Sequence, residues 1–416
     1  METYFFASWQ PIFYDILLLA AAAEFCDRTL KRSTIGWGRH FELRLPVHDL
    51  DRWNNNKVNS AVHDALRFLT GDEWFITFYQ RRSPELPPSQ RLLSFPNNVS
   101  AVIPYSDGLD SRAVASLMEI ELGDTLVRIR LGSLKSDSKI RSGHPFTHVP
   151  YRVVQASKLF SETSNRSRGL KFALLSGLAA FLSGARRIII PESGQGALGP
   201  ALVPVGQTYI DYRNHPLFTS RIEILFADLL GYEIKFEYPR LWHTKGETFS
   251  EYVDRCEISS SWQSTRSCWQ NSRQVSVSGK RRQCGICAAC LLRRLSVFSA
   301  GLVESNSSYV WADLSSSEFE SGATDKFDPK HITSAMKEHA IAGVLHLDHL
   351  ARLRRSTIDA RRLPHNSFQL ATVTELSELE IQTRLNRMLT QHEYEWNNFT
   401  SDLGTDSFVT KWTGQN

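Results

Sequence analysis

The sequence predicts an α/β fold: a doubly wound parallel sheet joined to a cysteine-rich segment, preceded by an α+β extension and followed by a helical tail. Three observations lead there. Between residues 101 and 239, short apolar runs alternate with helical patterns, as crossovers between parallel strands require. Four of the six cysteines fall between Cys268 and Cys290. Beyond residue 305 the pattern becomes helical spacing alone.

The 416 residues suffice for two or three domains. A first helix is expected over residues 14–31. Its apolar run, 16–23, is too short to span a membrane and is flanked by acids. No basic residue precedes it, so it does not read as a secretory signal, and the cytoplasm is the expected compartment. Residues 41–47 (FELRLPV) and 74–80 (WFITFYQ) alternate with period two and read as strands. The proline-rich stretch 81–91 reads as a linker, which closes an N-terminal extension of residues 1–95.

Residues 96–305 form the central domain. Strands are expected at 101–105, 124–131, 147–153, 185–193 (ARRIIIPES, running into a loop) and 232–239. Helices are expected at 111–121, 169–184 (ending on Gly184) and 221–230. The tail, 306–416, carries amphipathic helices at 331–355 and 374–388, separated by Pro364. Its apolar stripe of Leu376, Leu379, Leu385, Met388 and Leu389 reads as core-facing. His346 and His349 read as surface or packing residues. With 42% hydrophobic and 22% charged residues the composition is that of a globular protein, and a net charge of +4 is too small to argue for nucleic acid. Residues 258–303 nevertheless contain no carboxylate, while Arg266, Arg273, Lys280, Arg281, Arg282, Arg293 and Arg294 lie among them.

The segment Ser106-Asp107-Gly108-Leu109-Asp110-Ser111 stands where the first strand of the sheet turns into a helix. Phosphate binds at such a place, on helix-terminal N–H groups. Gly108 allows a tight backbone and close approach of a phosphate. Ser106 and Ser111 supply hydroxyls, Ser111 also as a helix N-cap. A carboxylate beside phosphate calls for a divalent cation, so Asp110 points to Mg²⁺. No Gly-Lys-Ser/Thr ending makes this a Walker loop. By itself the hexapeptide also fits a plain strand-to-helix connection.

Fifteen residues separate Cys268 from Cys284, and Cys287 and Cys290 continue in C-x-x-C steps. Four thiolates suit a closed tetrahedral Zn²⁺ site, and the basic, acid-free surroundings offset its negative charge. An iron–sulfur cluster and a metal-free buried set are the alternatives. Cys26 and Cys256 read as core cysteines. A zinc knot among arginines, with Trp262 and Trp269 nearby, also fits a nucleic-acid-binding module.

SDGLDS resembles the Ser-Gly-Gly-x-Asp-Ser pyrophosphate loop of the ATP pyrophosphatase (adenine nucleotide alpha hydrolase-like) superfamily, with Asp107 where the family has its second glycine. Loop and cysteines together resemble the 7-cyano-7-deazaguanine synthase family over residues 100–302. The matching residues are Ser267-Cys268, then Cys284-Gly285-Ile286-Cys287-Ala288-Ala289-Cys290-Leu291-Leu292-Arg293, with Lys245 and Glu247 in WHTKGETF. The resemblance implies a Rossmann-like fold and ATP-dependent, AMP-forming activation of a 7-deazaguanine carboxylate, with transfer to an amine. Applied to this chain, it puts ATP on Ser106, Asp107, Gly108, Leu109, Asp110 and Ser111. Asp110, Lys245 and Arg168 (with Arg166, in SNRSRGL) would carry the chemistry.

The chain departs from the family at PESGQGALGP. Glu192, Ser193, Gly194 and Gln195 are the substrate-binding candidates there, with Gly194, Gly196 and Gly199 marking a mobile or ligand-approached loop. Extended chains of this kind resemble synthase-like components of bacterial anti-phage systems such as Qat, which implies a partner protein as the amine acceptor. A housekeeping synthase that uses ammonia to form a nitrile is the alternative. Another is a base-modifying enzyme of the same superfamily, with Cys256 or Cys26 as its reactive thiol.

Overall fold

The computed structural model describes residues 10–33, 35–83, 98–106, 108–131, 153–154, 160–206, 208–256, 260–270, 275–356 and 361–413. Most of the expected linker at 81–91 and of the expected strand at 147–153 lies outside the described residues, as does Asp107.

Helix α1 (Pro11–Thr29) begins on a proline, whose missing N–H costs nothing in a first turn. Strand β1 (His40–Val47), helices α2 (Leu50–Trp53) and α3 (Asn56–Thr70) and strand β2 (Glu73–Gln80) follow. The Asn55 side chain caps α3, and Gly71, at φ 68°, ends it. β1 and β2 pair in parallel with Phe41 opposite Trp74, so α3 lies in their crossover. Their alternation buries Phe41, Leu45, Val47, Trp74, Ile76 and Phe78, as the period-two reading expected.

The main sheet takes strand β3 (Ala101–Tyr105), helix α4 (Leu109–Leu122), strand β4 (Leu126–Arg130), helix α5 (Arg168–Ser183) and strand β5 (Arg187–Ile189). Short helices α6 (Gly194–Ala197) and α7 (Gly199–Leu202) follow in the chain, and then helix α8 (Pro216–Leu230) and strand β6 (Lys235–Glu237) complete the sheet. Its order is β4-β3-β5-β6, all parallel, so the direction of winding reverses between β3 and β5. Pro104 is tolerated in β3 because β5 pairs only with Ala101 and Val102, leaving no second ladder at residue 104. After β6 come helix α9 (Lys245–Arg255), hairpin strands β7 (Ser276–Val277) and β8 (Lys280–Arg281), and helices α10 (Ala288–Ser299), α11 (Ser334–Arg352), α12 (Arg362–Ala371), α13 (Glu378–Leu403) and α14 (Phe408–Trp412). Among the described residues no helix is long and apolar enough to cross a membrane.

The chain folds as two compact units, each assembled from separate stretches. Unit 1 comprises Met1–Ser106, Met118–Pro191 and Asp211–Pro239. Residues before 96 share one hydrophobic core with the sheet: Phe13, Ile16, Trp53, Leu66 and Trp74 cluster with Val102, Leu174, Ile188, Phe226 and Phe236. A four-charge network lies inside this unit. Arg32 and Arg39 each bond both Asp27 and Asp72, at 2.6–3.3 Å, and both carboxylates are 0% exposed. Asp27 also accepts the Ser167 N–H just before α5 (2.8 Å), which ties the N-terminal helix to the sheet's own crossover. Two cations and two anions cancel, and that cancellation makes their burial tolerable.

Unit 2 comprises Asp107–Leu117, Glu192–Ile210 and Arg240–Asn416. Each stretch begins within a few residues of a strand's carboxyl end: β3, β5 and β6 in turn. Its larger core joins Cys284, Cys287 and Cys290 to Val344 and Leu347 of α11, Trp396 and Phe399 of α13, and Phe408 of α14. A smaller core packs Leu109, Ala113 and Leu117 of α4 on Phe249, Tyr252, Trp262 and Val297. The helical tail is thus part of the core that holds the cysteines. Within its predicted stripe Leu385, Met388 and Leu389 are buried, but Leu379 is 73% exposed. It sits in the first turn of α13, ahead of the buried face that starts at Ile381.

Because the unit 1 charge network is dry and balanced, removing one member leaves a charge stranded. Asp72→Asn is expected to lower stability by roughly 3–5 kcal/mol, read as a fall in the denaturant midpoint at unchanged slope.

Candidate functional site

The hexapeptide of residues 106–111 runs from β3 into α4. The Arg112 N–H donates to the Gly108 carbonyl (3.2 Å), so the helix starts earlier than the expected residue 111. Ser111 is therefore not the N-cap; it lies inside the first turn, 7% exposed. Leu109 is a core residue at 1% exposure, so it can offer a ligand only its backbone. Asp110, in the first turn of α4, forms an ion pair with the ammonium of Lys245. Its Oδ2 takes that contact, while its buried Oδ1 accepts no hydrogen bond.

Lys245 is the first residue of α9, 5% exposed. A cation there opposes the positive end of the helix dipole, at a cost of about 0.3–1 kcal/mol. The helix start is built to withstand it. The Thr244 side chain accepts the Glu247 N–H (3.0 Å) and the Glu247 carboxylate accepts the Thr244 N–H (2.9 Å), closing a capping box. Lys245 donates its own backbone N–H to Gln195 Oε1 (2.7 Å), and Gly194 donates to the His243 carbonyl (2.9 Å). Thus Asp110, Gln195 and Lys245, all singled out in the sequence, meet within unit 2.

The glycine-rich turn after β5 differs from the expected loop. Residues 194–202 form the two short helices α6 and α7, and protein rather than open space surrounds the first glycines. A Cβ on Gly194 would lie 2.2 Å from both the Leu241 carbonyl and Met388 Sδ, and one on Gly196 would meet the Glu192 carboxylate at 2.1 Å. Gly199 has only ordinary contacts. Ser193 is fully buried with its Oγ unpaired, whereas Gln195, 2% exposed, bonds within the protein at both ends of its amide. Arg168 opens α5 in unit 1, exposed, its guanidinium 5.4 Å from the Phe172 ring centre. Arg166 is buried there against Asp211 (3.2 Å).

The four cysteine sulfurs come together, all within 4.8 Å of one another. Cys284 and Cys290 Sγ are 3.7 Å apart, close to the edge of ~3.8 Å of a tetrahedron with 2.3 Å Zn–S bonds. In a 4Fe–4S cluster each thiolate binds a separate iron and in a 2Fe–2S cluster only two share one, so the mutual closeness of all four sulfurs fits a single ion. Local structure explains the convergence. The β7–β8 hairpin turns through Ser278 (φ 51°) and Gly279 (φ 75°). Cys287 caps α10, and Gly285, at φ 88°, makes the knuckle between the first two C-x-x-C cysteines. Backbone N–H groups of Gln270 and Cys284 donate to Cys268 Sγ (3.4 and 3.2 Å), and that of Cys287 to Cys284 Sγ (3.3 Å).

The surroundings also ask for negative charge. Burial pushes the thiols of Cys284 and Cys290 well above their ordinary value, so without a cation they stay neutral. Beside them Arg266 has Nε and one Nη buried without a hydrogen bond, an orphan that a tetrathiolate–metal centre of net charge about −2 would satisfy. The residues therefore fit Zn²⁺ held by Cys268, Cys284, Cys287 and Cys290, a closed structural site with no position left for substrate.

Other expectations resolve in the same region. Arg293, the last residue of the cysteine pattern, is 0% exposed and paired with Glu304 (2.7 Å) and Thr265 (2.6 Å), which fixes α10 on the preceding loop. Trp262 is a core residue edge-on to Phe249, so it offers no stacking face to a base, while Trp269 is exposed. His346 is a packing residue donating to the Val203 carbonyl (2.8 Å), and His349 lies on the surface. Cys26 and Cys256 pack against the two cores.

Compared with known proteins, the chain matches no family model and has no significant match among curated proteins or solved structures. What the residues themselves support is an α/β chain with a small parallel sheet, a four-cysteine cluster that could bind Zn²⁺, and a helical C-terminal region.

Sequence reasoning did not find the residues that back this site: Thr244, His392 and Glu395. The Thr244-x-x-Glu247 spacing is a capping-box signal and could have marked the helix start. His392 and Glu395 carry no local signal.

Two outcomes follow. The purified chain is expected to carry about one zinc ion, and Arg266→Ala to hasten its transfer to a chelator, with Arg266→Lys intermediate. Burial holds the Glu395 carboxyl up to about 7. Between about pH 4.5 and pH 7 the unfolded chain then loses a proton that the folded chain keeps, and stability falls as pH rises. Glu395→Gln should accordingly raise the melting temperature more at pH 8 than at pH 5, for a difference of up to roughly 3 kcal/mol.

Proposed function

We propose that the protein is an ATP-dependent, AMP-forming ligase that activates the carboxylate of a 7-deazaguanine and passes it to an amine. The observation that carries this reading is the Asp110–Lys245 pair: two residues 135 apart in sequence, at the heads of α4 and α9, with the SDGLDS loop leading into α4.

A carboxylate is a poor electrophile. Attack of its oxygen on the α-phosphorus of ATP makes a mixed anhydride and releases pyrophosphate, and an amine then displaces AMP. The protein's part is to place charge where it develops. In this reading Lys245 is held against Asp110 until phosphate oxygens replace the carboxylate as its partner. Ser106, Gly108 and Ser111 offer hydroxyl and backbone groups to the phosphates. Asp110, with Oδ1 unpaired, is the residue to hold Mg²⁺, which when bound neutralises charge between carboxylate and phosphates. Asp107 lies beside it in sequence. Glu192 and Ser193 are the substrate-reading candidates of this turn, while Gln195 is bonded within the protein. Arg168 keeps the role the resemblance gives it, a guanidinium for phosphate or carboxylate. Zinc is structural. The acceptor is an amine of a partner protein in an anti-phage setting, or free ammonia.

The test is pyrophosphate release with Mg·ATP and 7-carboxy-7-deazaguanine, with and without ammonia or candidate partner proteins, and the product mass. Substrate-dependent pyrophosphate and AMP are expected. Asp110→Ala and Lys245→Met should each lower the rate by about a hundredfold or more, as loss of a preorganised charge does. ATP that neither binds nor turns over in a folded, zinc-loaded chain would sink the reading.

A further inference from the structure

One face of α13 is built around the first turn of α9. Its residues Arg387, Met388, His392 and Glu395 recur at helical spacing, and each touches the stretch that presents Gln195 or Lys245. Arg387 forms a two-pronged ion pair with Glu247 of the capping box and bonds the Trp242 carbonyl (3.1 Å). Met388 lies against the backbone at Gly194. His392 Nδ1 meets Gln195 Nε2 at 2.7 Å, and its Nε2 meets the Leu347 carbonyl at 2.9 Å. Thr244 donates its hydroxyl to Glu395 Oε1 (2.6 Å).

These contacts fix directions as well as positions. The Lys245 N–H is one of the orphan donors of a helix's first turn and must meet an acceptor, so Gln195 turns its oxygen there and its NH₂ toward His392. His392 must then accept at Nδ1 and carry its proton on Nε2, where the Leu347 carbonyl takes it. Were Nδ1 protonated, two donors would face each other and the Gln195 amide would have to flip, stranding the Lys245 N–H. Burial holds His392 down to about 4, so it stays neutral near pH 7. In the same way the hydroxyl proton of Thr244 points at Glu395, which leaves its lone pair for the Glu247 N–H. Gln195, Thr244, His392 and Glu395 are all at most 3% exposed. Apolar packing would have covered this face at lower cost.

We propose that His392 and Glu395 are positioning residues for Lys245: through Gln195 and Thr244 the C-terminal helix sets the turn that aims the lysine at Asp110. Its catalytic meaning rests on the ligase reading above, but the geometry can be tested without it. Lys245 is acetylated with trace acetic anhydride across pH, well below the melting temperature. Its rate is read by peptide mass spectrometry against the exposed Lys330 in the same chain.

His392→Leu removes the acceptor and is expected to change the Lys245 to Lys330 ratio by about fivefold, the equivalent of one lost hydrogen bond. His392→Asn keeps an acceptor near the Nδ1 position and should restore the ratio toward wild type. A loss of general packing would lower the melting temperature of both variants without this rescue. An unchanged ratio in folded, zinc-loaded His392→Leu overturns the proposal. Should that variant fail to fold, Gln195→Met removes the same connection and is expected to move the ratio in the same direction; no movement there overturns it equally. Adding Mg·ATP to the wild type separates the two ideas. Protection of Lys245 supports the nucleotide reading. A ratio that responds to His392 but not to nucleotide leaves the positioning role standing and counts against the ligase.

Discussion

A buried ammonium at the positive end of a helix is the constraint around which much of unit 2 is arranged. Lys245 is nearly sequestered, opens α9 and has its charge balanced by Asp110. Neither burial nor the helix dipole favours that placement. A lysine that served only packing or solubility would sit in a last turn or on a solvent face. Its location against local preference is the strongest physical sign of use in this chain.

Keeping such a residue in place requires that the first turn of α9 not fray, and the N–H groups of Thr244, Lys245 and Glu247 have each been given a side-chain acceptor. Thr244 and Glu247 serve one another, Gln195 serves Lys245, and α13 serves Thr244, Glu247 and Gln195 in turn. The same helix α13 sends Trp396 and Phe399 into the core that contains the four clustered cysteines. A zinc ion held there would have a mechanical consequence. By fixing the start of α10 and the core beneath α11 and α13, it would stabilise the platform from which His392 and Glu395 reach the lysine's turn.

Some of this was legible in the chain. The strand-to-helix turn at SDGLDS, the C-x-x-C steps and the strands with period-two or short apolar runs are local signals. Among the described residues the strands near 41–47, 74–80, 101–105, 124–131, 185–193 and 232–239 recur where spacing put them, while most of the one expected at 147–153 lies outside those residues. The alternation in FELRLPV and WFITFYQ marked both strands, but not that they pair in parallel, because alternation reports which face is buried and not which neighbour is bonded. Ser111 read as a cap and lies inside the helix, since the Gly108 carbonyl supplies the first acceptor. The glycines of PESGQGALGP read as a mobile or ligand-approached loop; in the structure Gly194 and Gly196 are closely approached by Leu241, Met388 and Glu192, and Gly199 has only ordinary contacts. Glycine records the need for space and not the identity of what fills it.

By itself, then, the sequence determined what depends on short separations along the chain: helix and strand periods, the turn from strand to helix at SDGLDS, and the cysteine spacing that permits one tetrahedral ion. The tertiary structure alone decided which distant groups share a proton or a charge. Gln195 and His392 lie 197 residues apart, Thr244 and Glu395 151, and Asp110 and Lys245 135. A hydrogen bond is made over about 3 Å of space whatever the length of chain between its ends, so no local pattern encodes it. Only folding, by burying these groups where water cannot satisfy them, made each of them need the other.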